Sequence, residues 1–346
     1  DPNPLQRLGG VDHQPPSHSR DTHIMKVLFG EHTDLGWRQR QEDRAHCVQG
    51  SDYTFMAIYD GHGSDQFAQH CMEFLHDLVV RNANFTTDTP KAIQDAFLEE
   101  DEKLIPLTTE GNEGGTTSSV VVVRGTRLYS GNVGDSTIIL AESTSKGPSL
   151  WNAAANQGTE TGVQESYENE EWRAWRLTRS HVPGDETEAR RVQTAGGQIF
   201  YGRVLGVLNI TRALGDHVFK FPFNRDAVQQ GDIKKDFLSA FPHTCAIDLI
   251  PHRHHFLVVA SDGLWNSVDE LKVTALVAEA KANGKSPAEA AKLLTEAAAG
   301  NREGSGGDNV TVVVCYFEWE EDEREEEESS EGEEKQPAEV ASSSSS

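Results

Sequence analysis

Apolar and polar positions divide the chain into two kinds of segment. The first are short, nearly continuous apolar runs: HIMKVLFGE (23–31), YTFMAIYD (53–60), SSVVVVRG (118–125), RLYSGNVGD (127–135), STIILAE (136–142), HHFLVVASD (254–262) and NVTVVVCYFEW (309–319). Their Val, Ile, Tyr and Phe content predicts strands. Several are too continuously apolar for a sheet wetted on one face. The second kind is amphipathic. Residues 64–81 place Phe67, Cys71, Phe74, Leu75 and Leu78 on one stripe at helical spacing, and further helices are predicted over 89–104, 184–195, 267–283 and 286–299. The last opens on Ser286 and Pro287, a capping residue and a first-turn proline. Strands come in clusters and helices in pairs, without strict βαβ alternation. That predicts an α+β fold, two packed and mainly antiparallel sheets flanked by helices.

Outside one patterned core, 23–318, the chain turns polar. Residues 1–22 are rich in Pro, Gly and polar side chains and predict a flexible N-terminal arm. Residues 142–171 read as a polar surface insertion, and 319–346 as an acidic, Ser-rich disordered tail. Twelve acids face only Arg324 and Lys335 within 318–335, so this stretch carries −10 of the formal net charge of −25. It reads first as a solvating block and second as a docking segment for a basic partner. The overall charge predicts neither a nucleic-acid nor an anionic-membrane surface. No apolar stretch approaches the roughly 20 residues of a spanning helix. Cys47, Cys71, Cys245 and Cys315 are scattered and predict reduced, mostly buried thiols. No signal peptide is visible, and the expectation is a cytoplasmic or nuclear monomer; a chain starting at Asp1 is also compatible with a trimmed leader.

The strand ends carry the chemistry. Asp60, Asp262 and Asp135 each adjoin a glycine where an apolar run stops, Asp308 precedes another run, and Glu42 and Asp43 precede a short strand. One Asp-Gly pair is an ordinary turn. Carboxylates at five strand margins demand cations if those margins converge. Oxygen-only ligands select Mg²⁺ or Mn²⁺ over zinc, and neither a CxxC pair nor an HExxH segment is present. HRHH (252–255) reads as a polar turn before a strand. Two such metals would generate hydroxide from a bridging water and suit in-line attack on phosphorus. Gly61 would let its carbonyl approach a metal, Arg38 could offer a planar fork to a phosphate, and His62 is placed to protonate a leaving alkoxide. Other phosphatase chemistries fit poorly: the residue six after Cys47 is Tyr53 and after Cys71 is Asp77, where a cysteine-dependent enzyme needs Arg. A P-loop is absent.

Read in order, these segments resemble the protein phosphatase 2C family. GWRQRQEDRAH is similar to its opening G-x-R-x-x-x-E-D motif and YDGHG to its D-G-H motif. GGTTSSVVVV, GNVGDS, HVPGDETEARRVQTAGG, LGVLNITRALGD, VVASDGLWN and GGDNVTVVV follow in family order, over about residues 24–317. The resemblance implies a metal-dependent serine/threonine phosphatase acting on phosphoserine and phosphothreonine proteins, built as a four-layer α-β-β-α sandwich. It implies that Asp60 bridges two Mg²⁺ or Mn²⁺ ions, that Glu42 and the Gly61 carbonyl hold one, and that Asp262 and Asp308 hold the other. Asp135, with Asp262, matches a weaker third site. Asp43 would orient metal-bound water, Arg38 bind substrate phosphate, and His62 act as general acid. Residues 184–208 correspond to a flap that influences substrate choice. The chain departs from the family pattern at Ser180, Asn266 and Thr137, where Asp, Asp and Arg are common. A non-catalytic binding module on the same fold is the alternative; such relatives lose metal ligands, and every expected ligand is kept here.

Overall fold

Alternate residues of each central strand face different neighbours, and that alternation builds the layers. Along residues 54–59 every side chain is buried. Phe55, Ala57 and Tyr59 join a cluster with helical residues such as Phe67, Leu75, Ile93 and Phe97. Met56 and Ile58 point the other way, into a cluster with Leu140, Leu257, Val259, Val313 and Phe317. Residues 256–260 split likewise: Leu257 and Val259 enter the inter-sheet core, while Phe256, Val258 and Ala260 pack against Val273, Val277, Ala291 and Leu294. Both faces of these strands are covered, which is why their sequences lack polar alternation.

The computed structural model describes residues 25–146, 165–220, 237–300 and 307–320. One sheet runs in the order β1 (Met25–Asp34), β16 (Val310–Trp319), β15 (His254–Ala260), β8 (Thr137–Ser143), β10 (Trp172–Arg176) and β9 (Glu165–Glu168). The other runs β14 (His243–Asp248), β7 (Arg127–Val133), β6 (Ser118–Arg124), β3 (Thr54–Tyr59) and β2 (Arg44–Gln49). All pairings in both are antiparallel. Helices α1 (Asp65–Arg81) and α2 (Thr89–Leu104) cover the five-stranded sheet. Helices α4 (His217–Lys220) and α5 (Asp262–Trp265) are short, and the six-stranded sheet is covered by α6 (Glu270–Ala282) and α7 (Pro287–Gly300). The result is the expected α-β-β-α order. Helix α7 starts on a capping box: Ser286 Oγ accepts from Glu289 N at 3.3 Å, and Glu289 Oε2 accepts from Ser286 N at 2.8 Å.

Some elements had no clear sequence signal. WRAWR and HTCAID, too mixed to stand out, become β10 and β14. The polar stretch from 142 has structured ends. Glu142 is buried at the end of β8, accepting from Trp175 Nε1 at 2.7 Å and pairing with Arg253 at 2.9 Å, and Glu165–Glu168 forms the edge strand β9. HRHH is part of the fold rather than a ligand set: buried His254 accepts from Ile250 N at 2.9 Å, and burial pushes its imidazole down to about 4. Residues 184–208, expected as a flap, form α3 (Glu186–Thr194) and the hairpin of β11 (Ile199–Phe200) with β12 (Arg203–Val204), around Val192, Val204, Leu208, Phe237 and Leu238. The expected arm 1–22, the middle of the 142–171 insertion and the tail beyond 320 lie outside the described residues. Among the described helices, none is long and apolar enough to cross a membrane.

Candidate active site

Neighbouring strands end level with one another, and this brings distant acids to one edge of the sandwich. Ala260 of β15 lies opposite Val312 of β16 on one side and Thr137 of β8 on the other. Asp262, Asp308 and Asp135, each two residues beyond one of those strands, therefore share that edge. In the facing sheet Arg44 lies opposite Tyr59, so Asp43 and Asp60 are neighbours too. Asp60 is pinned through its backbone: its carbonyl accepts from Thr117 N at 2.9 Å, and its N–H donates to Thr117 Oγ1 at 3.2 Å.

Two glycines let the backbones close in. A Cβ on Gly61 would stand 2.6 Å from the Glu42 carbonyl oxygen, so glycine is what admits the Glu42 loop beside Asp60. A Cβ on Gly263 would overlap the Asn309 carbonyl, so glycine again admits the Asp308 segment beside Asp262. Asn309, the residue after Asp308, ties these segments together. Its Nδ2 donates to Leu35 O at 2.9 Å and Arg40 O at 3.1 Å, and its Oδ1 accepts from Glu42 N at 2.9 Å.

The charges in the cleft act on one another. Burial, and then the charges of Asp43, Asp262, Asp135 and Asp308, push the Asp60 carboxyl well above its ordinary range. Burial and Asp262 push Asp135 up to about 7. Burial and Asp308 raise Asp262, which also hydrogen-bonds Asp60. Asp43 is fully buried and rises to about 6 through burial, held back by the hydroxyls of Ser261 and Thr311; Ser261 Oγ donates to Asp43 Oδ2 at 2.8 Å. These are hard oxygen donors with too little positive charge among them, which is the donor set a divalent cation would neutralise.

Other side chains occupy part of that donor set. Asp308 Oδ1 accepts from Asn309 N at 2.8 Å and its Oδ2 from the Arg38 guanidinium at 2.8 Å. Asn266, one of the family departures, donates to Asp262 Oδ2 at 3.1 Å. At a second departure, Thr137 Oγ1 accepts from Arg176 of β10 at 2.8 Å, and the Arg176 charge also lowers Asp135. A guanidinium thus reaches this corner from another strand. Among the described residues, no three His, Cys, Asp or Glu side chains converge as ligands of one ion. The charge of Glu42 also acts to raise His62. His62 Nε2 meets Asp216 Oδ2 at 2.7 Å; burial opposes its charge, but Asp216 outweighs burial and raises the imidazole. Asp216, Asn309, Ser261, Thr311 and Arg176 had no role in the sequence reading, although all but Arg176 lie in the family-like segments LGVLNITRALGD, VVASDGLWN and GGDNVTVVV.

The chain and its fold are similar to known proteins. A family model for protein phosphatase 2C matches residues 28–305. The chain is 32% identical over 293 residues to a "Probable protein phosphatase 2C" of Caenorhabditis elegans, covering 82% of this chain and 72% of that protein. It is 29% identical over 293 residues to a "Probable protein phosphatase 2C" of Oryza sativa subsp. japonica, covering 83% and 86%. In fold it is similar to a serine-threonine phosphatase 2C from Toxoplasma gondii, with a TM-score of 0.64 and 19% identity over 86% of this chain and 98% of that one.

Proposed function

The chain belongs to the protein phosphatase 2C family, metal-dependent serine/threonine protein phosphatases, and from that premise we propose that the carboxylate edge is a binuclear Mg²⁺ or Mn²⁺ centre for direct hydrolysis of phosphoserine and phosphothreonine. The supporting observation is Asp60. It is the acid most burdened by its neighbours, with carboxylates rather than cations acting on it from Asp43, Asp262, Asp135 and Asp308. Unrelieved carboxylates at a strand edge make sense where a cation is to be held.

In this reading Asp60 would serve both ions, Glu42 and the Gly61 carbonyl one of them, and Asp262 and Asp308 the other. Asp135 with Asp262 offers a third, weaker position. The ions would supply an activated water for in-line attack on phosphorus. Asp43, fixed by Ser261, orients that water. Arg38 leaves Asp308 Oδ2 and presents its fork to the substrate phosphate. His62 hands a proton to the departing seryl or threonyl oxygen. Glycine at 61 and 263 supports the grouping, since each lets one half of a proposed ligand pair approach the other.

The test is phosphate release from an aryl phosphate and from phosphoserine and phosphothreonine proteins, with Mg²⁺, with Mn²⁺ and with chelator. Turnover is expected only with metal and is expected to vanish in Asp60→Ala while the chain stays folded. Metal-independent turnover, or an active Asp60→Ala protein, would refute the mechanism.

A further inference from the structure

Asp216 stands outside the residues given roles above, yet its carboxylate reaches the proposed general acid. The two lie 154 residues apart in sequence and meet at 2.7 Å, Asp216 Oδ2 to His62 Nε2. A small third sheet makes the meeting. In it β4 (Gly61–His62) pairs with β5 (Gly115–Thr116), and β5 pairs with β13 (Leu214–Gly215), so Asp216 emerges one strand away from His62.

The surroundings hold that carboxylate in place. Asp216 has φ +51°, a left-handed conformation that side-chain-bearing residues avoid. Its N–H donates to Gly114 O at 2.8 Å. A Cβ on Gly115 would overlap Asp216 Oδ2, so only glycine leaves the carboxylate its space. The preceding residue is clamped as well: Gly215 N donates to Asp101 Oδ1 at 2.8 Å, and Lys220 Nζ holds the same oxygen at 2.6 Å. Asp216 is 1% exposed, and its Oδ1 has no hydrogen-bond partner among the described residues. A strained, buried and half-satisfied carboxylate is a poor choice for stability. Local strain of this kind collects where a side chain must be aimed.

We infer that Asp216 is the positioning residue of His62, an inference that rests on the general-acid reading of His62. Asp216 accepts the Nε2–H, which fixes the imidazole's orientation and leaves Nδ1 to face the cleft. In the transfer step the P–O bond to the seryl oxygen breaks and its electron pair stays on that oxygen. The proton on Nδ1 moves to the same oxygen as the attacking water bonds to phosphorus, and the Nε2–H stays on the ring, hydrogen-bonded to Asp216. The imidazolium becomes a neutral imidazole, and the leaving group departs as an alcohol.

The experiment uses the full chain with Mn²⁺ and compares a phosphoserine peptide, whose alkoxide leaves poorly, with p-nitrophenyl phosphate, whose phenolate leaves without help. Asp216→Asn is expected to lower kcat on the peptide about tenfold to a hundredfold and to affect the aryl ester much less. On the peptide, Asp216→Asn combined with His62→Gln is expected to be no slower than His62→Gln alone, because both changes remove one function. Equal slowing of both substrates by Asp216→Asn, or additive losses in the pair, overturns the proposal. If His62→Gln itself slows both substrates equally, the general-acid reading falls and takes the proposal with it. A ¹⁵N spectrum of His62 in the unmutated protein is a test that needs no variant. A proton on Nε2 is expected, and a neutral ring protonated on Nδ1 alone overturns the assignment.

Discussion

Two groups of buried carboxylates in this protein have opposite company. At the cleft edge, Asp60, Asp262 and Asp135 face one another, and all three are pushed above the ordinary carboxylate range. In α3, Glu188 is fully buried but sits among cations. Arg212 meets its Oε1 at 2.6 Å, Arg191 its Oε2 at 2.9 Å, and Thr211 Oγ1 donates to it at 2.8 Å. Burial still works to raise Glu188, but the Arg212 contact and the two guanidinium charges outweigh it and drive the group below the ordinary range. The same side-chain chemistry thus serves opposite ends. Paired acids hold α3 to the core, and unpaired acids store the repulsion that a metal would relieve.

The comparison breaks most sharply at Asp60. Asp60→Asn is expected to cut metal-dependent turnover by at least about a thousandfold, the scale of a lost electrostatic stabiliser. It is also expected to raise the melting temperature of chelator-stripped protein, because it removes a repelled charge. A melting temperature that falls instead would mean that Asp60 is compensated in a way this geometry lacks. Glu188→Gln should behave in the reverse manner. Leaving Arg191 and Arg212 buried without their counter-charge is expected to cost about 3–5 kcal/mol in a denaturant melt, with Mn²⁺ affinity little changed by calorimetry.

pH separates the groups by sign. The cleft acids have folded pKa values above the unfolded ones, with Asp43 near 6 and Asp135 near 7. Stripped protein therefore holds extra protons when folded, and this contribution is lost as pH rises from about 4 to about 7. Glu188 is displaced downward, so its contribution is present above the ordinary carboxylate range and lost as pH falls below it. Urea melts of stripped protein should weaken as pH rises from about 4 to about 7, and saturating Mn²⁺ should abolish that slope.

Asp43 lies between the two cases, buried beside the cleft but held by hydroxyls. Ser261→Ala is expected to push Asp43 above its value of about 6 and to cost about 1–3 kcal/mol for the lost partner, the smallest of these effects. No change in stability would place Asp43 wholly with the unpaired group.

Much of the fold was legible along the chain. Strands such as 54–59 and 254–260 announced themselves because burial on both faces leaves no room for polar residues. Helix α7 announced itself through Ser286 and Pro287. The acids could be picked out because each breaks an apolar pattern. What stayed hidden was short or remote. Two-residue strands such as β4, β5 and β13 have no periodicity to detect, so the sheet that carries Asp216 to His62 was invisible. The role of Asn309 was hidden because its hydrogen bonds go to Leu35, Arg40 and Glu42, more than 260 residues earlier.

Composition and periodicity alone decide which residues are driven into the core and which acids interrupt it, because transfer from water depends on the side chain and its immediate pattern. Which buried acids meet cations and which meet other acids is decided by folding. Glu188 finds Arg212 across 24 residues, and Asp60 finds Asp262 and Asp308 across more than 200. A carboxyl's charge state depends on burial and on distances through space, and neither quantity exists until the sheets have paired.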